Sequence, residues 1–252
     1  MKAAVFGVPR SGTTWLGELI NSHPDLIYRF QPLFSYEFKS ALNEKSSDEE
    51  VGLFYRQILE ASSDFVVRES DFVKSASPAG VIFKEVRYLH LIPLLLRAGA
   101  HVVFIRRHPV DVLNSWYQAP REFDKTWDLN KEWMDAPSKN QGRIEEFYGL
   151  SGWVRAQRIL GSIAPNLRRR LCVLEYEELR RKPSSTLSDV FHFLGLDFHE
   201  QSKRFLHETT SIHKEGVYDV HRTKRAVLAL PQNIVDLILA EGEVQKYLEQ
   251  VE

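Results

Sequence analysis

The chain has 252 residues, 43% hydrophobic and 27% charged, with 33 lysines and arginines against 34 aspartates and glutamates. That length can bury a full core in a single domain, 1–252, and a net charge of -1 provides no global field to gather nucleic acid or an anionic membrane. The lone cysteine, Cys172, excludes an internal disulfide and, inside an apolar run, reads as a core residue.

Met1-Lys2 lead at once into an apolar strand over residues 3–7, so no targeting segment is expected ahead of the fold, and a cytoplasmic protein is expected. Gly7 to Gly12 form a loop of small residues around Arg10, and Leu16, Leu19 and Ile20 then set a helix over 13–22. A second strand is predicted at 26–30, a polar exposed loop over Asn43 to Glu50, and a helix at 50–61. A strand at 80–84 and a helix at 87–98 follow. The apolar run Leu91 to Ala100 carries Arg97 and is far too short to span a bilayer.

Strand 101–106 ends in Arg106-Arg107 and passes into a helix at 109–118, with Pro109 in its first turn. Residues 116–153 are irregular and aromatic, holding four of the five tryptophans. Their rings are read as a lid able to stack on an acceptor, or else as the filling beneath a long loop. Helices at 143–162, 184–194 and 232–249 and a strand at 170–175 complete the pattern. Strands alternating with helices predict an α/β fold: a P-loop-like three-layer sandwich with a central, mostly parallel sheet flanked by helices. Ligands then sit beyond the carboxyl ends of the strands.

The chemistry concentrates at two of those ends. A small-residue loop between a strand and a helix start aims backbone N–H groups and the positive end of the helix dipole at one point, an anion site. Gly7-x4-Gly12 has the spacing of the nucleotide-binding P-loop, but Thr13 stands where that loop needs lysine, and the cation, Arg10, lies inside it. The strand at 101–106 ends in arginines rather than the acidic residue that would help hold magnesium. Arg107 and Ser115 can converge on a second phosphate. Positive charge at Arg10, Arg106 and Arg107 therefore predicts a nucleotide phosphorylated at two positions and held without metal.

These segments resemble the sulfotransferases that use 3′-phosphoadenosine 5′-phosphosulfate (PAPS). Pro9-Arg10-Ser11-Gly12-Thr13-Thr14-Trp15-Leu16 is similar to their 5′-phosphosulfate loop, and Arg107-x-Pro109-x-Asp111-Val112-x-x-Ser115 to their 3′-phosphate segment. Val173-Leu174-Glu175-Tyr176-Glu177-Glu178-Leu179, Lys182-Pro183 and Phe193-Leu194-Gly195-Leu196 resemble a third family segment. Gly17 to Leu33 looks like the carbohydrate branch, except that Gln31 stands where that branch usually has glutamate.

The resemblance implies in-line transfer of a sulfuryl group from PAPS to a hydroxyl of a small molecule or glycan, with release of 3′,5′-bisphosphoadenosine. It implies Arg10, Ser11, Gly12, Thr13, Thr14, Trp15, Arg107 and Ser115 as cofactor-binding residues, with Tyr176 by the adenine and Arg222 in a late basic loop over the 3′-phosphate. Arg10 and Lys84 are the expected catalytic cations. Glu85 is the expected base, with His90 and Glu37 as rivals and a positioned acceptor with little base assistance as the other reading, because the histidine of the cytosolic branch is replaced here by Val86. Two alternatives stay open: a P-loop kinase using ATP and magnesium, and a non-catalytic nucleotide-binding protein of the same fold.

Overall fold

Five short apolar strands frame the computed structural model, which describes residues 1–68, 70–211 and 228–251. They are β1 (Lys2–Phe6), β2 (Leu26–Phe30), β3 (Gly80–Glu85), β4 (His101–Arg106) and β5 (Leu171–Glu175). Every pairing is parallel, in the order β2-β3-β1-β4-β5. Each strand lies within one residue of its predicted span.

Thirteen α-helices lie among the described residues. The first seven are α1 (Thr13–Asn21), α2 (Asp48–Leu59), α3 (Asp64–Val67), α4 (Ile92–Arg97), α5 (Pro109–Tyr117), α6 (Leu129–Glu132) and α7 (Pro137–Asn140). Then come α8 (Gly149–Gly161), α9 (Tyr176–Arg181), α10 (Pro183–Phe193), α11 (Glu200–Ser211), α12 (Gln232–Leu239) and α13 (Gly242–Val251). None is long and apolar enough to cross a membrane.

Side chains alternate across each strand, so one strand feeds two cores. Ala3, Val5, Ile82, Val103 and Ile105 pack with α1, α9, α10 and α11, while Ala4, Phe6, Phe83, Val102 and Phe104 pack with α2, α4, α5, α8, α12 and α13. The result is the expected three-layer α/β sandwich. Ala3 to Phe6 are fully buried, so the loop after β1 springs from a support buried on both faces.

Four differences from the sequence reading have local causes. The polar stretch before α2 is part helix, because Ser47 accepts the Glu50 N–H and Glu50 accepts the Ser47 N–H in a capping box. The predicted helix at 87–98 opens instead with a tight 3-10 turn over Leu89–Leu91. α8 begins only at Gly149, whose φ of +76° and close approach to the Met134 carbonyl suit glycine alone. The predicted helix at 232–249 is two helices, because the Glu241 carboxylate accepts the N–H groups of Glu243 and Val244 and starts α13 afresh.

In the aromatic segment, Tyr117, Trp127 and Trp133 are only partly buried, and the other five rings lie inside. Trp116, Phe123 and Tyr148 form a small buried cluster with Ala136, and Phe147 and Trp153 belong to the main core. These five rings fill the interior beneath the loop and offer no face to an acceptor.

Lys74, which no sequence pattern singles out, ties the α1–β2 turn together. Its ammonium donates to the carbonyls of Asn21, His23 (3.2 Å) and Leu26 (2.9 Å) and to Asn21 Oδ1 (3.0 Å). Burial lowers its pKa to about 8. Lys74→Met strands those carbonyls and should cost about 2 kcal/mol in urea unfolding; an unchanged urea midpoint would show that the turn does not depend on this amine.

Candidate active site

The loop after β1 turns twice through left-handed backbone, at Arg10 (φ 72°) and at Gly12 (φ 93°). The Ser11 N–H donates to the Val8 carbonyl at 3.2 Å, and the Gly12 carbonyl accepts the Leu16 N–H at 3.1 Å as the first bond of α1. No side chain caps α1, and its first turn carries no acid. The first-turn N–H groups and the helix dipole therefore face the loop uncompensated. A side chain on Gly12 would lie 2.6 Å from the Tyr176 ring, so glycine there lets the ring close against the loop. The Ser11 Oγ is buried beside it without a hydrogen-bond partner.

Arg10 of this loop meets partners from distant parts of the chain, among them a second arginine. Arg10 Nε donates to Ser115 Oγ at 3.2 Å, and its Nη1 lies 3.4 Å from Glu122 Oε1. Arg107 Nη1 donates to the Arg10 carbonyl at 3.0 Å, and its guanidinium lies 4.5 Å from the centre of the Tyr176 ring. The Arg107 carbonyl accepts the Trp153 indole N–H at 3.0 Å, and its own Nε is buried without a partner. Trp15 meets Tyr176 edge-on with ring centres 6.3 Å apart. One neighbourhood thus holds Arg10 to Trp15, Arg107, Ser115 and Tyr176. Arg222 lies outside the described residues.

Arg106 differs from its expected role. Its guanidinium is paired with Glu175 at 2.7 Å and stacked over Tyr247, whose hydroxyl donates to the same carboxylate. Its charge is neutralised inside the fold, which leaves Arg10 and Arg107 as the cations beside the loop.

The β3 end supplies the other pair. Lys84 is 2% exposed, with Nζ 4.7 Å from the centre of the Phe30 ring; burial lowers its pKa to about 8 while the charges of Glu85 and Glu122 pull it back up. Glu85 is fully enclosed, its pKa raised by burial, and its Oε1 accepts the Leu33 N–H at 2.9 Å. Oε1 caps the tight turn over Pro32–Phe34, while Oε2 is buried without a hydrogen-bond partner. Gln31, left-handed at φ 43°, donates its N–H to the Lys84 carbonyl at 2.8 Å. Of the two rivals, His90 has its pKa lowered by burial.

Beyond Lys84 lies an aromatic rim. Phe65 packs edge-on against Phe30 at 5.6 Å and tilts against Phe34 at 6.2 Å, and the Arg87 guanidinium covers Phe34 at 3.8 Å. Phe34 and Phe65 are both more than two-fifths exposed.

A family model described as the sulfotransferase domain matches residues 2–225. The chain belongs to the sulfotransferase domain family. Its enzymatic class follows from that membership. Nodulation protein H of Rhizobium tropici is 24% identical over 206 residues, which is 79% of this chain and 78% of that protein. Mouse sulfotransferase SULT7A1, solved in complex with PAP, covers 99% of this chain and 89% of its own at 12% identity, with a TM-score of 0.53. Sulfotransferase STF9 of Mycobacterium avium covers 100% of this chain and 76% of its own at 14% identity, with a TM-score of 0.54. At such identities the solved structures speak for the fold.

Sequence reasoning missed one residue of this sulfotransferase's site, Glu122. It lies in the irregular segment after α5, 112 residues from Arg10, where no periodicity or motif marks it. Among the described residues, no group of three or more His, Cys, Asp or Glu side chains could hold a metal ion.

Gly12→Ala puts a methyl group into the Tyr176 ring at a left-handed position. It should lower stability by about 1–3 kcal/mol and disturb the near-ultraviolet circular dichroism of the aromatic rings. An unaltered melting curve and spectrum would mean that the ring does not close on the loop.

Proposed function

We propose that this sulfotransferase transfers the sulfuryl group of PAPS to a hydroxyl on a carbohydrate or small glycolipid-like acceptor, releasing 3′,5′-bisphosphoadenosine (PAP). The observation that carries this reading is the pair of unsatisfied, buried polar groups at one anion-ready loop: Ser11 Oγ, and Arg107 Nε from the neighbouring strand end. Buried polar atoms are normally satisfied, and two orphans beside an uncapped helix start fit an anionic ligand.

The fit extends to both ends of such a donor. Ser11, the N–H groups of Thr13 and Thr14, and the Arg10 guanidinium would hold its 5′ end; Arg107 and Ser115 would hold the 3′-phosphate, with Tyr176 and Trp15 toward the base. Bound there, the donor supplies an activated sulfuryl group on a phosphate leaving group. Arg10 and Lys84 supply fixed positive charge where negative charge develops, a contribution of about 3–4 kcal/mol for a single well-placed donor. Glu85 serves as a positioning residue: by capping the turn after β2 it holds Gln31 and Phe34 against the Lys84 strand end.

The resemblance of Gly17 to Leu33 to the carbohydrate branch supports a sugar hydroxyl as the acceptor. So does the exposed rim of Phe34 and Phe65, since flat apolar rings suit the C–H faces of a sugar.

Calorimetric titration with PAP in EDTA, with ADP and ATP as comparators, tests the donor. Wild-type protein should bind PAP without metal, and Arg10→Ala or Arg107→Ala should weaken binding about 10- to 100-fold, the worth of a charged hydrogen bond. ATP binding that requires magnesium, with none for PAP, would overturn the reading in favour of a kinase. Turnover of labelled PAPS against sugars, glycosides, phenols and aliphatic alcohols then identifies the acceptor class; PAP binding with no sulfated product across that panel would favour a non-catalytic protein.

Lys84 gives a separate pH prediction. Its charge is present below its lowered pKa of about 8 and lost as pH rises through it. Turnover should fall on the alkaline side of about pH 8, and Lys84→Met should lower kcat about 10²- to 10³-fold and remove that alkaline limb. A limb that persists in Lys84→Met belongs to another group.

A further inference from the structure

Glu122 is held so that only its carboxylate is free to change partners. Its backbone N–H donates to the Ala119 carbonyl at 2.9 Å, and its own carbonyl accepts the Trp116 indole N–H at 3.3 Å. Of its two carboxylate oxygens, Oε2 accepts the Tyr148 hydroxyl at 3.1 Å and Oε1 meets Arg10 Nη1 at 3.4 Å. Burial and the Glu122 charge hold the Tyr148 phenol well above its ordinary pKa, so it stays a donor to that oxygen. The Arg10 contact is long, and both side chains are about a third exposed (36% and 30%). Such a pair is weak, and a phosphate oxygen presented by the loop makes a stronger partner for a guanidinium.

Glu122 also lies close enough to Lys84 for its charge to raise the pKa of that amine. It is thus paired with Arg10 and within electrostatic reach of Lys84. Other carboxylates nearby are held by neighbours, among them Glu18, whose charge also reaches Lys84 and which accepts the Asn21 side-chain N–H at 3.4 Å. Glu85 is enclosed and accepts the Leu33 N–H; Glu146 is 4% exposed and tied to Arg87 at 2.8 Å and to Arg143 at 3.4 Å. Gln31 is an amide and takes no proton near neutral pH.

We propose that Glu122 is the base of this enzyme, exchanged off Arg10 by the donor's phosphate and so released to accept the proton of the acceptor hydroxyl. The inference rests on the reading that PAPS is the donor. In the transfer, the acceptor O–H proton passes to a Glu122 oxygen as the acceptor oxygen bonds to sulfur. The bond from sulfur to the donor's phosphate oxygen breaks with its electron pair left on that oxygen, facing Arg10 and Lys84. The exchange couples the two substrates: the carboxylate is fully available only when a phosphate occupies Arg10.

The test measures Glu122→Gln and Glu122→Asp for PAP binding by calorimetry. It also measures turnover of PAPS, using the best acceptor of the panel above or water as the acceptor. Glu122→Gln removes a competing anion from Arg10, so it should bind PAP about two- to fivefold more tightly while its kcat falls roughly 100-fold. Glu122→Asp keeps a carboxylate and should retain about ten times the turnover of Glu122→Gln. Tight PAP binding also certifies that each variant is folded. Weaker PAP binding by Glu122→Gln would overturn the exchange, and equal turnover by the two variants, or near-wild-type turnover by Glu122→Gln, would overturn the role as base. Failure of the wild-type protein to bind PAP is a different result, which removes the donor reading itself.

Discussion

The parallel register of β1 between β3 and β4 is the constraint on which the site depends. Phe6 stands opposite Glu85 on one side and Phe104 on the other, so all three strands deliver their carboxyl ends to one edge of the sheet. Within a few residues of that edge the chain places the loop around Arg10, the Lys84–Glu85 pair and the Arg107 turn. The Arg107 bond to the Arg10 carbonyl then locks two strand ends together across 97 residues of sequence, with the Tyr176 ring packed beneath both. A left-handed Arg10 is tolerable because its carbonyl is held in this way and its side chain is drawn toward Ser115.

Charge in the site is arranged by competition rather than by excess. Near-neutral composition conceals three arginines, each set against an acid from another element: Arg106 with Glu175, Arg87 with Glu146, and Arg10 with Glu122. The first two pairs are largely buried and close, and they brace the framework. The third is longer and about a third open to solvent, which suits a contact that exchanges. Lys84 is buried against Phe30 within reach of the Glu85, Glu122, Arg68 and Arg87 charges, and desolvation there makes its charge both more effective and easier to lose.

Much of the frame was legible from residue patterns. Continuous apolar runs mark strands buried on both faces, and a Gly/Ser/Thr loop between such a strand and an apolar helix has few other uses than holding an anion. Those signals are local, so they survive being read one segment at a time. The misread elements turned on side chains reaching across a few residues or a whole layer. Glu241 caps α13 and divides a predicted helix, Glu50 completes a capping box inside a stretch read as loop, and a neighbouring carbonyl leaves room only for glycine at the start of α8. Trp116, Trp153 and Phe147 were ambiguous because an aromatic ring reads the same whether it fills a core or faces a ligand; only burial separates the two.

By itself, the sequence determined the α/β alternation, the strand spans, the small-residue loop between β1 and α1 and the family to which its motifs belong, because each is carried by residues adjacent in the chain. The tertiary structure decided which charged groups are free to act. It neutralised Arg106, enclosed Glu85 and brought Glu122 to Arg10. The physical reason is that burial and Coulombic pairing depend on distance in space, and the partners here are separated by tens to more than a hundred residues along the chain.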